Sequence, residues 1–237
     1  MKPGKGDTVV SKPARDEGRS KSLYGRDMAT GVVTFLDVLG WKGIWLRHEP
    51  GVIVQFLKDL VGLAVNVATG LRGKYIVADT KVLSISDTIV LLTPGTADQA
   101  APVHGRICQQ LICESIQKGI PLRGATSYGQ FYAPDGNIMV GPAIDEAAAW
   151  HEALDWFGVV MTPTAEYSWK PKSPWCQYTK TPVKGLGNKE LWCVDWPEVW
   201  PTPTKLKQIF AESGPLDMPV ANKYMNTYSF FRSRKGE

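Results

Sequence analysis

Two aspartates stand out because of the residues around them. Asp37 closes the run Val32-Val33-Thr34-Phe35-Leu36-Asp37-Val38-Leu39, and Asp87 sits inside Val82-Leu83-Ser84-Ile85-Ser86-Asp87-Thr88-Ile89-Val90-Leu91-Leu92. Both runs are apolar and rich in β-branched residues, as central strands are. A carboxylate in such a run is costly to bury unless a cation pairs with it. Each aspartate alone reads equally as a turn residue or a satisfied hydrogen-bond acceptor. Together they are accounted for by one shared divalent-cation site. The stretch Leu39-Gly40-Trp41-Lys42-Gly43 follows Asp37 directly. Its two glycines permit a tight turn whose amide N–H groups can cradle an anion.

The elements that must position these groups follow from periodicity. The first strand covers Thr30–Leu39. Pro50–Thr69 carries an apolar stripe of Val52, Phe56, Leu60, Leu63, Ala64 and Val67 at helical spacing. Lys74–Thr93 reads as two strands, Tyr75–Ala78 and Val82–Leu92, the second holding Asp87. A helix is expected over Ala97–Lys118, stopped by Gly119. A long strand over Ile120–Tyr132 meets the turn signal Ala133-Pro134-Asp135-Gly136-Asn137 and returns through Ile138–Val140. A helix over Pro142–Trp156, a short strand over Gly158–Met161, and a hairpin of Gln177–Val183 and Leu191–Trp196 complete the order. The leading βαββαβ portion is ferredoxin-like in connectivity. The fold class expected is therefore α+β, with a mixed, mainly antiparallel sheet and a C-terminal hairpin.

Composition sets the bounds. A chain of 237 residues, 43% hydrophobic, allows one domain with a real core. We divide it into a flexible basic segment (1–28), a main domain (29–197) and an irregular extension (198–237) that wraps the domain or a partner subunit. The net charge of +4 is mild, and much of the excess lies in the leader. That argues for an anionic ligand over a nucleic-acid partner. Four cysteines without a CxxC pair read as reduced core thiols. No signal peptide is visible, and the longest apolar stretch, Leu60–Leu71, is too short to span a bilayer. The expectation is a cytoplasmic protein with no membrane partner.

The two aspartate motifs resemble those of the class III nucleotidyl cyclases. That family carries its first metal aspartate in a strand of the form Phe-x-Asp-Ile/Val-x-Gly-Phe. Its second lies in a hairpin of the form Ile-Gly-Asp-x-hydrophobic, at a separation close to that between Asp37 and Asp87. Val183-Lys184-Gly185 is similar to the family's Val-Lys-Gly hairpin. The resemblance covers roughly residues 30–196, and the small stand-alone chain looks most like the bacterial Pycsar pyrimidine cyclases. It implies cyclisation of a nucleoside triphosphate with two Mn2+ or Mg2+ ions per site, since oxygen ligands suit these ions. Asp37 and Asp87 would hold the metals, with the carbonyl of Val38 as a further ligand. Leu39, Gly40, Trp41, Lys42 and Gly43 would bind the phosphates. Lys42 and Lys184 are phosphate partners or ordinary exposed lysines. Arg123 is a substrate contact or a salt bridge at the edge of the core. Arg26, just before the first strand, could fold over the nucleotide. The resemblance also implies a homodimer with sites at the interface, and a separate effector that reads the cyclic nucleotide during phage infection.

Departures from the family matter. Purine cyclases begin the third helix Val-Asn-x-Ala-x-Arg, whereas this chain has Ile144-Asp145-Glu146-Ala147-Ala148-Ala149. Asp145 replaces the ribose-orienting Asn, and Ala149 replaces the transition-state Arg; Arg123 and His151 are possible substitutes. The positions that read a purine edge are Leu83 and Ile138, which cannot hydrogen-bond a base. UTP conversion to 3′,5′-cyclic UMP is thus the leading expectation. The alternatives are a cytidylate cyclase, a purine cyclase and a catalytically silent nucleotide-binding module.

Overall fold

The structure, a computed structural model, describes residues 28–46, 48–71, 79–134, 138–212 and 216–236. The expected strand Tyr75–Ala78, Arg26 and the Lys42 side chain lie outside the described residues. Strand β1 (Ala29–Val38) sits inside a seven-stranded sheet of order β2-β3-β1-β4-β5-β7-β6. The other strands are β2 (Lys81–Ile85), β3 (Thr88–Pro94), β4 (Leu122–Phe131), β5 (Val159–Met161), β6 (Trp175–Val183) and β7 (Gly187–Val194). β1 pairs antiparallel with β3 on one side and β4 on the other. Among the described strands only β4 and β5 run parallel, and helix α4 (Pro142–Ala153) makes the crossover between them. The sheet is mixed and mainly antiparallel, and the first four strands have ferredoxin-like order.

Side-chain alternation sorts β1 between two cores. Val32 and Leu36 join the cluster covered by α2 (Pro50–Leu71) and α3 (Ala97–Gln117). Val33 and Phe35 face Ala143, Ile144 and Ala147 of α4. Asp37, two residues beyond Phe35, therefore emerges on the α4 face at the end of the strand. In α2 the core stripe is Ile53, Phe56, Leu60 and Ala64, while Val52, placed in the expected stripe, is exposed. The whole helix is long and apolar enough to cross a membrane, beyond the Leu60–Leu71 stretch considered from the sequence.

The structure corrects several boundaries. The single strand expected over Val82–Leu92 is a hairpin, β2 and β3, broken at Ser86-Asp87. Asp87 is thus a half-buried turn residue, not a carboxylate inside a strand. Ile138–Val140 forms no strand, only a bridge from Val140 to Tyr132. Helix α5 (Pro163–Ser168) was not anticipated. The stretch expected to be irregular carries α6 (Pro203–Glu212) and α7 (Met218–Lys235). Leu206, Phe230 and Phe231 are fully buried. The Phe230 ring packs edge-on against Trp156 at 4.8 Å, and Phe231 stacks on Trp196 at 5.7 Å. The extension completes the core. All four cysteines are buried and free, and burial pushes the Cys113 and Cys176 thiols up to about 12.

A polar line crosses the α3 face. Thr34 Oγ1 lies 2.7 Å from His104 Nδ1, and Thr93 Oγ1 lies 2.8 Å from His104 Nε2. Full burial lowers the His104 pKa from 6.5 to about 3, so the folded imidazole is neutral. The unfolded chain then takes up the proton first as pH falls, and stability is lost from pH 6.5 downward. Between pH 6.5 and about 5, unfolding free energy should fall by up to about 1.4 kcal/mol per pH unit. His104→Gln should lack this slope, as denaturant titrations across that range will show.

Candidate active site

Asp37 and Asp87 meet at one end of the sheet. Asp37 pairs in register with Thr88, the residue after Asp87, and the Val38 N–H donates to the Asp87 carbonyl at 3.2 Å. Both carboxylates line a cleft of about 570 Å³, with Phe35, Val90, Met139 and His151 among its walls. Ser86 makes this possible. Its φ of 55° is left-handed, so the hairpin turns sharply and delivers Asp87 beside β1. In the family motif that position is glycine, which adopts this conformation without cost.

Arg123 is the cross-strand partner of Asp37 on the β4 side. Its Nε and a terminal nitrogen donate to Asp37 Oδ2 at 3.1 and 3.0 Å. Its other terminal nitrogen donates to the carbonyls of Glu152 and Leu154, both at 3.0 Å. The guanidinium thus bridges Asp37 and the C-terminal end of α4, where the helix dipole favours a cation. Burial raises the Asp37 pKa, Arg123 opposes that shift by charge and hydrogen bonding, and the nearby Asp87 charge adds to it. Two carboxylates this close, one already holding a cation, form a donor set suited to a hard divalent ion. Arg123 takes only Oδ2, which leaves Oδ1 outside that pairing. Among the described residues no three His, Cys, Asp or Glu groups cluster as a closed metal cage. An ion held by one or two carboxylates and completed by substrate phosphates and water fits this pair.

The remaining candidate residues do not line that cleft: Leu39, Gly40 and Gly43 border a separate cavity with Gly119, Pro121, Asp217 and Val220. Leu39 N–H donates to the Pro121 carbonyl at 2.9 Å, which ties the end of β1 to the entry of β4. Gly40 adopts φ 77° and opens the four-residue helix α1 (Trp41–Ile44). The Gly43 N–H turns back to the Gly40 carbonyl at 3.0 Å, so in this state it serves the turn. Trp41 packs edge-on against Trp45 at 5.4 Å. Lys184 donates to the Glu152 carbonyl at 2.8 Å and so sits beside Arg123 at the α4 terminus, outside the residues lining the cleft. Its pKa is lowered by burial and then by the Arg123 charge. Asp145 and Ala149 occupy one exposed face of α4. Leu83 packs against the α4-side core and Ile138 is exposed, whereas its neighbour Met139 lines the cleft. The sequence reading did not single out Met139, or Glu152 as a carbonyl anchor. Met139 carries no polar signal, and a backbone carbonyl leaves none.

A scan against protein-family models finds no match, and neither does a search of curated proteins. Solved structures do match. The guanylate cyclase domain of RhGC from Catenaria anguillulae in complex with GTP is 18% identical with a TM-score of 0.51, over 71% of this chain and 97% of that one. The monomeric guanylyl cyclase domain of the RhoGC fusion protein from Blastocladiella emersonii gives 17% and 0.53, over 71% and 96%. The catalytic core of a rhodopsin-guanylyl cyclase with converted specificity, in complex with ATPαS, gives 20% and 0.51 over the same shares. This chain has the fold of the class III cyclase catalytic domain. Nearly all of each neighbouring domain is matched, so the unmatched part of this chain is additional to it.

The left-handed Ser86 gives a direct test of the hairpin geometry. Relieving its strain recovers about 1–2 kcal/mol, and the added flexibility of glycine returns about 0.5–1. Ser86→Gly should therefore raise unfolding free energy by about 0.5–1 kcal/mol, measured by denaturant titration.

Proposed function

We propose that this chain is a nucleotidyl cyclase working on a nucleoside triphosphate. The observation that carries the reading is the meeting of Asp37 and Asp87, from β1 and the β2–β3 turn, in one cleft with Arg123. In the reaction the ribose 3′-oxygen forms a bond to the α-phosphorus, the bond from that phosphorus to the β-phosphate oxygen breaks, and pyrophosphate leaves. The 3′-hydroxyl proton is released. Asp37 and Asp87 would hold the divalent ions, Mn2+ or Mg2+, with Val38 contributing its carbonyl. Such ions acidify the attacking hydroxyl and neutralise charge on the phosphates. Arg123 exchanges its Asp37 contacts for phosphate oxygens, which match its planar fork. The Leu39–Gly43 turn, which follows Asp37 directly, would reach the triphosphate from beside the cleft, and Lys184 would add positive charge near Arg123.

The α4 face bearing Asp145 and Ala149 offers no arginine to the cleft of its own subunit. A homodimer with interfacial sites, as the sequence resemblance implies, supplies the missing wall from a second copy. For the base we infer a pyrimidine, UTP before CTP, because Leu83 and Ile138 present no hydrogen-bonding group to a purine edge. The product would act on a separate effector, in keeping with the Pycsar resemblance. A purine cyclase is the second reading, supported by neighbours whose solved forms hold GTP and ATPαS.

Incubation of the pure protein with each ribonucleoside triphosphate and Mn2+, read by mass spectrometry, should give cyclic UMP and pyrophosphate. Dominant cyclic AMP or GMP would replace the pyrimidine reading. Absence of any product, with metal-dependent nucleotide binding intact, would leave the silent module. Asp37→Ala and Asp87→Ala should abolish turnover while circular dichroism shows a folded chain. Arg123→Ala should raise the KM for the triphosphate about 10- to 100-fold, the loss expected for hydrogen bonds to a charged group.

A further inference from the structure

We infer that helix α7 positions the candidate active site, acting on Arg123 through the Asp155–Phe157 segment. The inference rests on the cyclase reading for its consequence, and on geometry alone for the contact path. The last turn of α4 and the residue that follows the helix carry the carbonyls that hold Arg123. Glu152 and Leu154 each accept from its guanidinium at 3.0 Å. One residue further on, the chain is gripped by α7. Asn222 donates to Asp155 Oδ2 at 2.6 Å, and Asn226 donates to the Asp155 carbonyl at 2.9 Å. Lys223 pairs with Asp155 Oδ1 at 3.4 Å, with both side chains mostly buried. The Phe157 N–H donates to Thr227 Oγ1 at 2.8 Å.

These four α7 residues lie on one helix face, and all four partners fall within three consecutive positions of the segment. Phe230 and Phe231, one turn on, lock that helix into the core at zero exposure. From the other side, the Asp155 N–H donates to the Pro182 carbonyl at 3.2 Å, and Lys184 N–H donates to the Ala153 carbonyl at 2.8 Å. The Gly158 carbonyl accepts from Gly124 N–H at 2.8 Å, beside Arg123 on β4. The segment therefore has little freedom while α7 is in place. The contact path runs from α7 to Asp155, to the Leu154 and Glu152 carbonyls, to Arg123 and to Asp37. Asn222, Asn226 and Asp155 are positioning residues. They touch no reacting group, yet they set how far the guanidinium can be drawn toward the two carboxylates. When the α7 grip is lost, the α4-end carbonyls loosen and Arg123 settles on Asp37, in competition with the cation that Asp37 would hold.

The test compares Asn222→Ala/Asn226→Ala with the unaltered protein, in backgrounds with Arg123 and with Arg123→Ala. Without metal or nucleotide, the Arg123 Nε–H resonance in 15N-arginine-labelled protein should shift and exchange faster in the variant. With Arg123 present, Mn2+ affinity should fall and the triphosphate KM should rise, each about tenfold, with kcat changed less. In the Arg123→Ala background the same asparagine changes should leave both quantities where Arg123→Ala put them. An unmoved Arg123 resonance overturns the inference, whatever the enzyme turns over. Equal losses in both backgrounds also overturn it, because they show a general weakening of the fold. A protein that turns over no triphosphate at all defeats the cyclase reading, and the resonance and Mn2+ affinity then decide the positioning role by themselves.

Discussion

The pairing of Asp37 with Arg123 is the constraint around which the rest is arranged. Each side chain is only 14% and 12% exposed, so neither charge has water enough to stand alone. Removing one partner of such a pair costs on the order of 3–5 kcal/mol when burial is complete. The register of β1 against β4 places the two opposite each other, and a slip of one residue would leave them on opposite faces of the sheet. Burial still wins over attraction at Asp37, whose pKa stays raised despite the guanidinium. A carboxylate left short of positive charge in this way has more to gain from a second cation than one already satisfied.

Arg123 is not spent on that one partner. The same guanidinium acts as a cap for α4, filling the Glu152 and Leu154 carbonyls that the helix end leaves open. The two tasks use different nitrogens, apart from the shared plane. Contacts to Asp37 can therefore open while those to α4 persist, which gives the side chain a hinge at the helix terminus. A free arginine would lose much rotamer entropy on meeting a phosphate; one already hinged loses less.

How much of this could be read in the sequence depends on where each signal lies. β1 and its terminal Asp37 were legible because a buried strand that ends on a carboxylate leaves a continuous apolar run closed by one charge. The α+β order was legible because the helices alternate with strands at clear periods. The β2–β3 break was hidden from the residue pattern, because Ile85-Ser86-Asp87-Thr88 carries no glycine and serine at φ 55° gives no compositional cue, and only the family resemblance pointed to a hairpin there. The C-terminal helices were hidden by prolines and polar residues that resemble a tail. Yet α7 did carry its signals: Asp217 caps it by accepting from Val220 N–H at 3.0 Å, and Gly236 closes it in the left-handed region. Tyr224, Thr227 and Phe231 recur at helical spacing between them. What no sequence shows is the second task of Arg123, since its acceptors are backbone carbonyls that every residue has.

Charge in the cleft constrains the order of events. Among the lining residues Asp37, Asp87 and Glu152 are acidic, against the single guanidinium of Arg123. A triphosphate brought to such walls without cations meets net repulsion, and at contact distances each unpaired like-charge approach costs on the order of 1–4 kcal/mol even near a surface. Lys184, engaged at the α4 terminus, stands outside the lining and offsets little of this. Under the cyclase proposal, and with the described residues alone, positive charge would have to arrive with the nucleotide or before it. The absence of an arginine at Ala149 sharpens the point. Among the described residues lining the cleft Arg123 is the one guanidinium, and while it neutralises Asp37 it has two fewer N–H groups to offer a phosphate. A cation taking over that neutralisation would free Arg123 for the substrate, so in the proposed enzyme metal entry and arginine release would be two sides of the same exchange.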